Sequence, residues 1–348
     1  MKKTKKTLVK LLKESWSNSL ANELQGRQVI LIHEHEEMLE MSEALKLTSA
    51  DGATTLKEKI PSLDSSQEET DTRVVLYALF ALQEGYKTIK VHSPDSDIFF
   101  ILLYYVHMLN AITVLFDTGA GKHRRLINVT EHAACYSQEY ISALLALHAF
   151  CGCDSTSAFK GKGHVGPIKL IKKSPRFLRP LSRLGNSWEL DDQLIDELEE
   201  FTCAMYGQSK YTSVDRLRHL KITNKCDGKV DATRNIDMAT LPPCKKALVE
   251  HIRRVNYQIA IWKNAHMAQP DIPHPWENHG WTQKTGVLEP LWFKEEEVVP
   301  GSMVDMVIDA VSNEAVSDDE DVDFPPQDLD SFSDQFESET SEESEAED

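Results

Sequence analysis

Residues 70–150 alternate short apolar runs with longer stretches of helical periodicity, and this alternation constrains the fold more tightly than any other feature. Thr70 to Gln83 places Val74, Val75, Leu79 and Leu82 on one helical face, and Gly85 stops the helix. Thr88 to His92 reads as a strand, residues 98–109 as an apolar helix, and Ile112 to Phe116 as a second strand ending at Asp117-Thr118-Gly119. Leu126 to Val129 is a candidate third strand, and Glu139 to Phe150 a further helix. Strands alternating with helices predict an α/β domain with a mainly parallel sheet.

The flanks are less ordered in pattern. Residues 4–20 read as an amphipathic helix through Leu8, Leu11, Leu12 and Trp16, and Val29 to Ile32 as a short buried strand. Residues 40–67, with Asp51-Gly52 and Pro61, read mostly as loop. Residues 190–262 are mostly helical in pattern, and 269–300, rich in Pro, Trp and Gly, read as an extended strap. The expected division is 1–67 (N-terminal edge), 68–185 (α/β core with a basic turn and helix), 186–300 (helical extension and strap) and 301–348 (acidic tail).

Charge is segregated. The net charge of −18 comes almost entirely from residues 312–348, which hold 16 acidic and no basic residues; residues 1–311 hold 38 basic against 40 acidic. That tail is too charged and too poor in apolar residues to offset chain entropy, and is expected to be disordered. Ser317-Asp318-Asp319-Glu320 and Thr340-Ser341-Glu342-Glu343 resemble acidic-context phosphorylation sites. No apolar run reaches the roughly 18 residues of a membrane span, so no membrane partner is expected. Six Cys are sparse for a disulfide scaffold of this length and fit reduced intracellular thiols. The Lys-rich start, Lys2-Lys3-Thr4-Lys5-Lys6, favours a nuclear over a cytoplasmic location.

Three acidic segments adjoin element edges. Glu68-Glu69-Thr70-Asp71 opens a helix, Ser93-Pro94-Asp95-Ser96-Asp97 follows a strand and opens a helix, and Gly152-Cys153-Asp154 ends an apolar helix. Carboxylates in a first helical turn also cap free N–H groups, so each segment has a purely structural explanation. If Glu69, Asp71, Asp95, Asp97 and Asp154 converge, they form an all-oxygen ligand set of the kind Mg²⁺ or Mn²⁺ takes. Two such ions activate water and stabilise the leaving oxygen in phosphodiester hydrolysis. Asp117 is a secondary candidate, equally explained by its turn.

Directly after Asp154 comes a basic, glycine-containing stretch. Residues 155–183 carry eight Lys or Arg and no acid. Lys160, Gly161, Lys162 and Gly163 lead into a helix bearing Lys169, Lys172 and Lys173, continued by Arg176 and Arg179. Glycines admit a phosphate close to the backbone, and the lysines add charge, so this is a candidate nucleic-acid footprint; a solvated basic surface is the alternative.

The order Glu-x-Asp at a helix start, Ser-Pro-Asp-x-Asp after a strand, and Gly-Cys-Asp before a Gly/Lys turn resembles the flap-endonuclease (XPG/PIN-like) nucleases. The stretch His148 to Gly163, with Glu277 to Trp281 and Leu288 to Trp292, is similar to a group of mobile-element-associated PIN-like proteins of invertebrates and fish. The resemblance implies a PIN-like three-layer domain. Glu69 and Asp71 (Glu68 as alternate), Asp95, Asp97 and Asp154 would be catalytic metal ligands for Mg²⁺ or Mn²⁺. Gly161, Gly163 and Gly166 would fall in a turn that grips the nucleic-acid backbone, DNA ahead of RNA. The family also uses two Asp upstream of its Glu-x-Asp, and residues 1–67 match neither. Two readings therefore stand: a metal-dependent nuclease, and a catalytically inactive, nuclease-derived nucleic-acid-binding or scaffold protein. The acidic tail would bind basic proteins or fold back over the basic stripe.

Other signals read more simply. His33-Glu34-His35-Glu36-Glu37 is a surface charge patch ahead of a metal site, although His33 and His35 share a strand face. Cys151 and Cys153 with His148 lack a second pair for zinc. Trp276, Trp281 and Trp292 read as anchors of a peripheral strap rather than base-stacking residues.

Overall fold

A computed structural model describes residues 2–24, 26–34, 41–225 and 237–292. The acidic tail, its phosphorylation motifs, Cys226 and the residues His35, Glu36 and Glu37 lie outside the described residues. The chain forms two compact units: Met1–Cys135 with Ile261–Ile272, and Tyr136–Ala260 with the segment from Pro273 on. The division falls inside the stretch 68–185.

The first unit begins with helix α1 (Lys2–Ser19) and an antiparallel meander of β1 (Gln28–Glu34), β2 (Ser42–Thr48) and β3 (Leu56–Lys59). Leu31 pairs with Leu45 across β1 and β2, and Leu45 with Lys59 across β2 and β3. Side chains alternate across a strand, and here both faces are covered. Val29, Leu31, Leu45 and Leu47 pack under Trp16, Leu20 and Leu24. Ile30, Ile32 and Ala44 pack on the other side with Ile60, Leu63 and Leu76. Double coverage explains the unbroken apolar run 29–32.

The predicted loop over 40–67 is therefore mostly sheet. The strand signal of β2 is masked by Glu43, which is buried beneath Lys59 (2.7 Å), His33 (3.4 Å) and Lys13 (3.8 Å). Burial raises the Glu43 pKa, but the hydrogen bond from Lys59 and the charges of His33, Lys59 and Lys13 outweigh it and bring the carboxyl below its ordinary value. His33 thus belongs to a buried ion cluster rather than to a surface patch.

The rest of this unit follows the predicted alternation: α2 (Thr70–Gln83), β4 (Thr88–His92), α3 (Ser96–Tyr105), β5 (Thr113–Thr118), β6 (Arg125–Asn128) and α4 (Val129–Ala134). β4 and β5 are parallel, but β6 returns antiparallel to β5. The expected mainly parallel sheet is corrected to a mixed one: among the described strands only the β4–β5 pair is parallel. The six residues Gly119–Arg124 between β5 and β6 are too few for a crossover, which needs about a dozen. Phe99 of α3 packs against Phe116 of β5 in the core, with ring centroids 5.6 Å apart and the planes tilted by 57°.

The second unit is mostly helical, with α5 (Gln138–Cys151), α6 (Val165–Lys173), α7 (Leu178–Arg183), α8 (Asp192–Met205), α9 (Val214–Lys225) and α10 (Lys245–Lys263), whose last turn belongs to the first unit. A hairpin of β7 (Trp281–Lys284) and β8 (Val287–Pro290) follows, so the strap is not wholly irregular. Ile141 to Cys151 are all buried. Phe150 packs against Phe159, Phe201 and His251, and the His251 ring bonds the Phe150 carbonyl at 3.0 Å. Burial drives His251 down to about 4, so it is neutral at pH 7. No helix of the described residues is long and apolar enough to cross a membrane.

Buried Arg254 fixes the strap by donating to the carbonyls of Gly280 (3.0 Å) and Leu291 (2.8 Å). His279 stacks on Tyr257 at 4.9 Å. The Glu-Asn-His-Gly-Trp and Leu-Glu-Pro-Leu-Trp motifs thus have a structural use. Gly280 has φ +81°, and a Cβ there would lie 2.5 Å from the Glu250 carbonyl oxygen. Gly280→Ala is therefore expected to cost about 2–4 kcal/mol, combining backbone strain with overpacking. Urea unfolding checks this, and a loss below about 0.5 kcal/mol would contradict the packing described.

Candidate functional site

Four of the candidate acids of the first unit stand at helix starts. The chain turns back through 84–87 between α2 and β4, and again through Ser93–Asp95 between β4 and α3. Both helices, which pack on each other, therefore start at the carboxyl end of the parallel pair. Ligand sites of open α/β sheets lie at that end. Glu69 and Asp71 sit at the start of α2, and Asp95 and Asp97 at the start of α3.

Their local roles are specific. Asp95 caps α3, accepting from the Asp97 N–H at 2.8 Å, while its own N–H donates to Ser93 Oγ at 3.1 Å. Asp97 is buried. Glu69 occupies the cap position of α2 without a side-chain cap bond, and its carbonyl accepts from Thr72 and Arg73. Carboxylate oxygens are the donors that Mg²⁺ or Mn²⁺ takes. Yet among the described residues no group of three or more His, Cys, Asp or Glu side chains is placed to hold a metal ion. The structure thus places four acids at helix starts without forming a metal centre, and no catalytic step can be derived through a metal. Asp154 belongs to the second unit.

Asp117, a secondary candidate in the sequence, is firmly held. It is the penultimate residue of β5, in register with His92, and only 2% of it is exposed. Arg124 binds it through two nitrogens, Nε to Oδ1 at 2.8 Å and Nη2 to Oδ2 at 2.6 Å. Lys90 Nζ and His92 Nδ1 each stand 3.6 Å from Oδ2. The Arg124 hydrogen bonds hold the Asp117 carboxyl down at about 2, against the opposing effect of burial. Two signals could have raised its rank in the sequence: Arg124 seven residues on, and the alternation of Lys90 and His92 on the neighbouring strand.

In the second unit the Gly152-Cys153-Asp154 segment terminates α5. Gly152 has φ +123°, and a Cβ there would meet the Ala158 Cβ at 2.8 Å. The Thr156 hydroxyl donates to the Ala149 carbonyl at 2.6 Å and accepts the Cys153 N–H at 3.1 Å. This turn leaves Asp154 exposed. Burial pushes the Cys151 thiol up to about 12, which suits an inert packing residue.

The basic stretch divides in two. Lys160 pairs with Asp237 at 2.7 Å, and the Lys162 ammonium lies 4.8 Å above the Tyr206 ring, so both are engaged within the unit. Gly161, at φ +70°, has open space where a Cβ would stand, and Gly163 is exposed. α6 then turns Pro167 and Ile171 inward and leaves Lys169, Lys172 and Lys173 exposed. Arg176, in the 3-10 turn after α6, is also exposed and donates to the Ser209 carbonyl at 3.3 Å. The spacing 169, 172, 173 is one helical face.

No family model, curated protein or solved structure matches the chain.

The acid limb of stability follows from Asp117. Its folded pKa is depressed, so its contribution is full above the ordinary value of 3.8 and is lost as pH falls toward about 2. Asp117→Asn is expected to lower stability at neutral pH and to flatten the acid limb between those values. Superimposable acid limbs for variant and wild type, in denaturation series from pH 2 to pH 6, would count against this assignment.

Proposed function

We propose that the protein binds nucleic acid through phosphate contacts, as a catalytically inactive relative of PIN-like, flap-endonuclease-type nucleases. The observation carrying this reading is the exposed helical face of Lys169, Lys172 and Lys173, with Arg176 beyond it. Exposed cations at i, i+3 and i+4 give regular backbone contacts without base readout. The open backbone at Gly161, ahead of this helix, leaves room for a phosphate. The capping role of Asp95, together with the absence among the described residues of a metal-holding group, favours binding over cleavage. DNA is the preferred partner over RNA in this proposal, the location is nuclear, and a mobile-element origin belongs to the same reading.

A second reading is kept for one observation, the position of Glu69, Asp71, Asp95 and Asp97 at helix starts, at the end of the sheet where ligands bind. On that reading the protein is a Mg²⁺- or Mn²⁺-dependent nuclease.

The binding reading predicts a strong salt dependence. For duplex DNA, the log of affinity should fall against the log of salt with a slope of about −0.9 for each phosphate neutralised. Replacing Lys169, Lys172 and Lys173 by Gln should reduce that slope by roughly 2 to 3 and weaken all sequences alike. An unchanged slope would remove this face from the interface. Cleavage of labelled flap, duplex and single-stranded DNA and of RNA with Mn²⁺ decides between the two readings. The binding reading expects no product; cutting by the wild type that is lost in Asp97→Asn would establish the nuclease.

A further inference from the structure

The cations around Asp117 exceed what that carboxylate needs. One buried acid is approached by Arg124, Lys90 and His92, which leaves a surplus of one positive charge with His92 neutral and two with it protonated. A single bidentate arginine already satisfies a carboxylate. Lys90, His92 and Arg124 nevertheless stay well exposed, with 54%, 64% and 58% of their side chains open to solvent.

These groups line an open cleft of about 370 Å³ with the Gly119–Gly121 loop, at the carboxyl end of the parallel pair β4–β5. Asp95 and Asp97 do not line it. Arg124 engages Asp117 through Nε and Nη2, which leaves the two N–H groups of Nη1 and one of Nη2 for a ligand. A carboxylate behind an arginine fixes the guanidinium plane, so less side-chain freedom is lost on binding. Gly119 and Gly121 have φ of +73° and +53°, and a Cβ at Gly121 would meet nothing, so the loop backbone is open to a close approach.

We propose that this cleft is a phosphate-binding site: Arg124, oriented by Asp117, forms the fork, Lys90 and His92 add charge, and the Gly119–Gly121 loop forms the rim. The ligand class is a phosphate monoester or inorganic phosphate, whose oxygens suit the planar fork of Arg124 and whose negative charge offsets the surplus left by Arg124 and Lys90 over Asp117. The site is independent of the basic face of α6 and does not rest on the nucleic-acid reading.

The test is calorimetric titration of the full chain at constant ionic strength with inorganic phosphate, a 5′-mononucleotide, its nucleoside, and 5′-phosphorylated and 5′-hydroxyl forms of one oligonucleotide. Saturable 1:1 binding of inorganic phosphate is expected, together with binding of the nucleotide but not the nucleoside. A preference for the phosphorylated oligonucleotide would identify a nucleic-acid end as the source; equal binding of both forms would leave the free or mononucleotide phosphate as the source. Lys90→Gln, an exposed change that leaves the Arg124–Asp117 pair intact, should weaken phosphate about threefold or more, and Arg124→Lys about tenfold, by loss of the fork. The variant with Gln at 169, 172 and 173 should bind phosphate as the wild type does. Absence of saturable phosphate binding, binding unchanged in both cleft variants, or equal binding of nucleoside and nucleotide would each overturn the proposal.

Discussion

The first unit depends on a polar clasp that closes it on a distant piece of chain. The chain leaves this unit at Cys135 and re-enters at Ile261. The returning segment is held by its carbonyls. The Tyr105 hydroxyl lies 2.7 Å from the Lys263 carbonyl and 3.1 Å from that of Trp262. The Gln67 amide donates to Ala265 (3.0 Å) and Met267 (2.6 Å), and the Ser65 hydroxyl to Ala268 (2.9 Å). The donors come from α3 and from the segment just before α2, so the clasp reaches the same elements that position the candidate acids. Closing so long a loop costs entropy, though the cost grows only logarithmically with length. Buried carbonyls left without donors would cost more, about 1–3 kcal/mol each. Burial pushes the Tyr105 hydroxyl pKa up and Lys263 down to about 8, consistent with a dry junction.

Buried acids in both units are anchors rather than idle ligands. Glu43 gathers Lys59, His33 and Lys13 beneath the first sheet, and Asp117 gathers Arg124, Lys90 and His92 on the second. In the helical unit Glu199 accepts the Val214 N–H at 2.9 Å and pairs with Lys245, whose own N–H bonds Asp215 at 3.0 Å. A buried carboxylate without partners would shift its pKa and neutralise. Neighbouring cations instead bring Glu43 and Asp117 below their ordinary values, and all three carboxylates are engaged within the fold. The nuclease reading rests on other acids, those at the starts of α2 and α3.

The sequence was most legible where side-chain periodicity and backbone punctuation agree. α2 from Thr70 to Gln83 and β4 from Thr88 to His92 have the predicted bounds because apolar faces are regular and Gly85 and Pro94 punctuate them. β2 was illegible because Ser42, Glu43, Lys46 and Thr48 resemble a loop, and only the partners of Glu43, from α1, β1 and β3, make its burial tolerable. The antiparallel turn into β6 could have been foreseen from the shortness of 119–124. The residues of the candidate sites were visible one at a time, but their partners were not. Lys160 and Lys162 looked equivalent to Lys169 until Asp237 and Tyr206 appeared beside them, from 77 and 44 positions along the chain.

That separation of engaged from presented cations matters for phosphate recognition. A lysine already paired to an acid gives up one partner to gain another, so its net contribution is small in water, where surface pairs are worth about 0–1 kcal/mol. A lysine in solvent releases a condensed counterion when it meets a phosphate, and the gain is entropic. On the nucleic-acid reading proposed above, exposed Lys169, Lys172 and Lys173 would contribute backbone affinity, whereas Lys160 and Lys162 are engaged in the turn that precedes them. The cleft at Asp117 works differently. Its arginine is paired, but to a carboxylate that lies behind it in the core, so the pairing orients the guanidinium while its remaining N–H groups stay available. One unit would thus offer phosphates an exposed helical face, and the other a fixed fork.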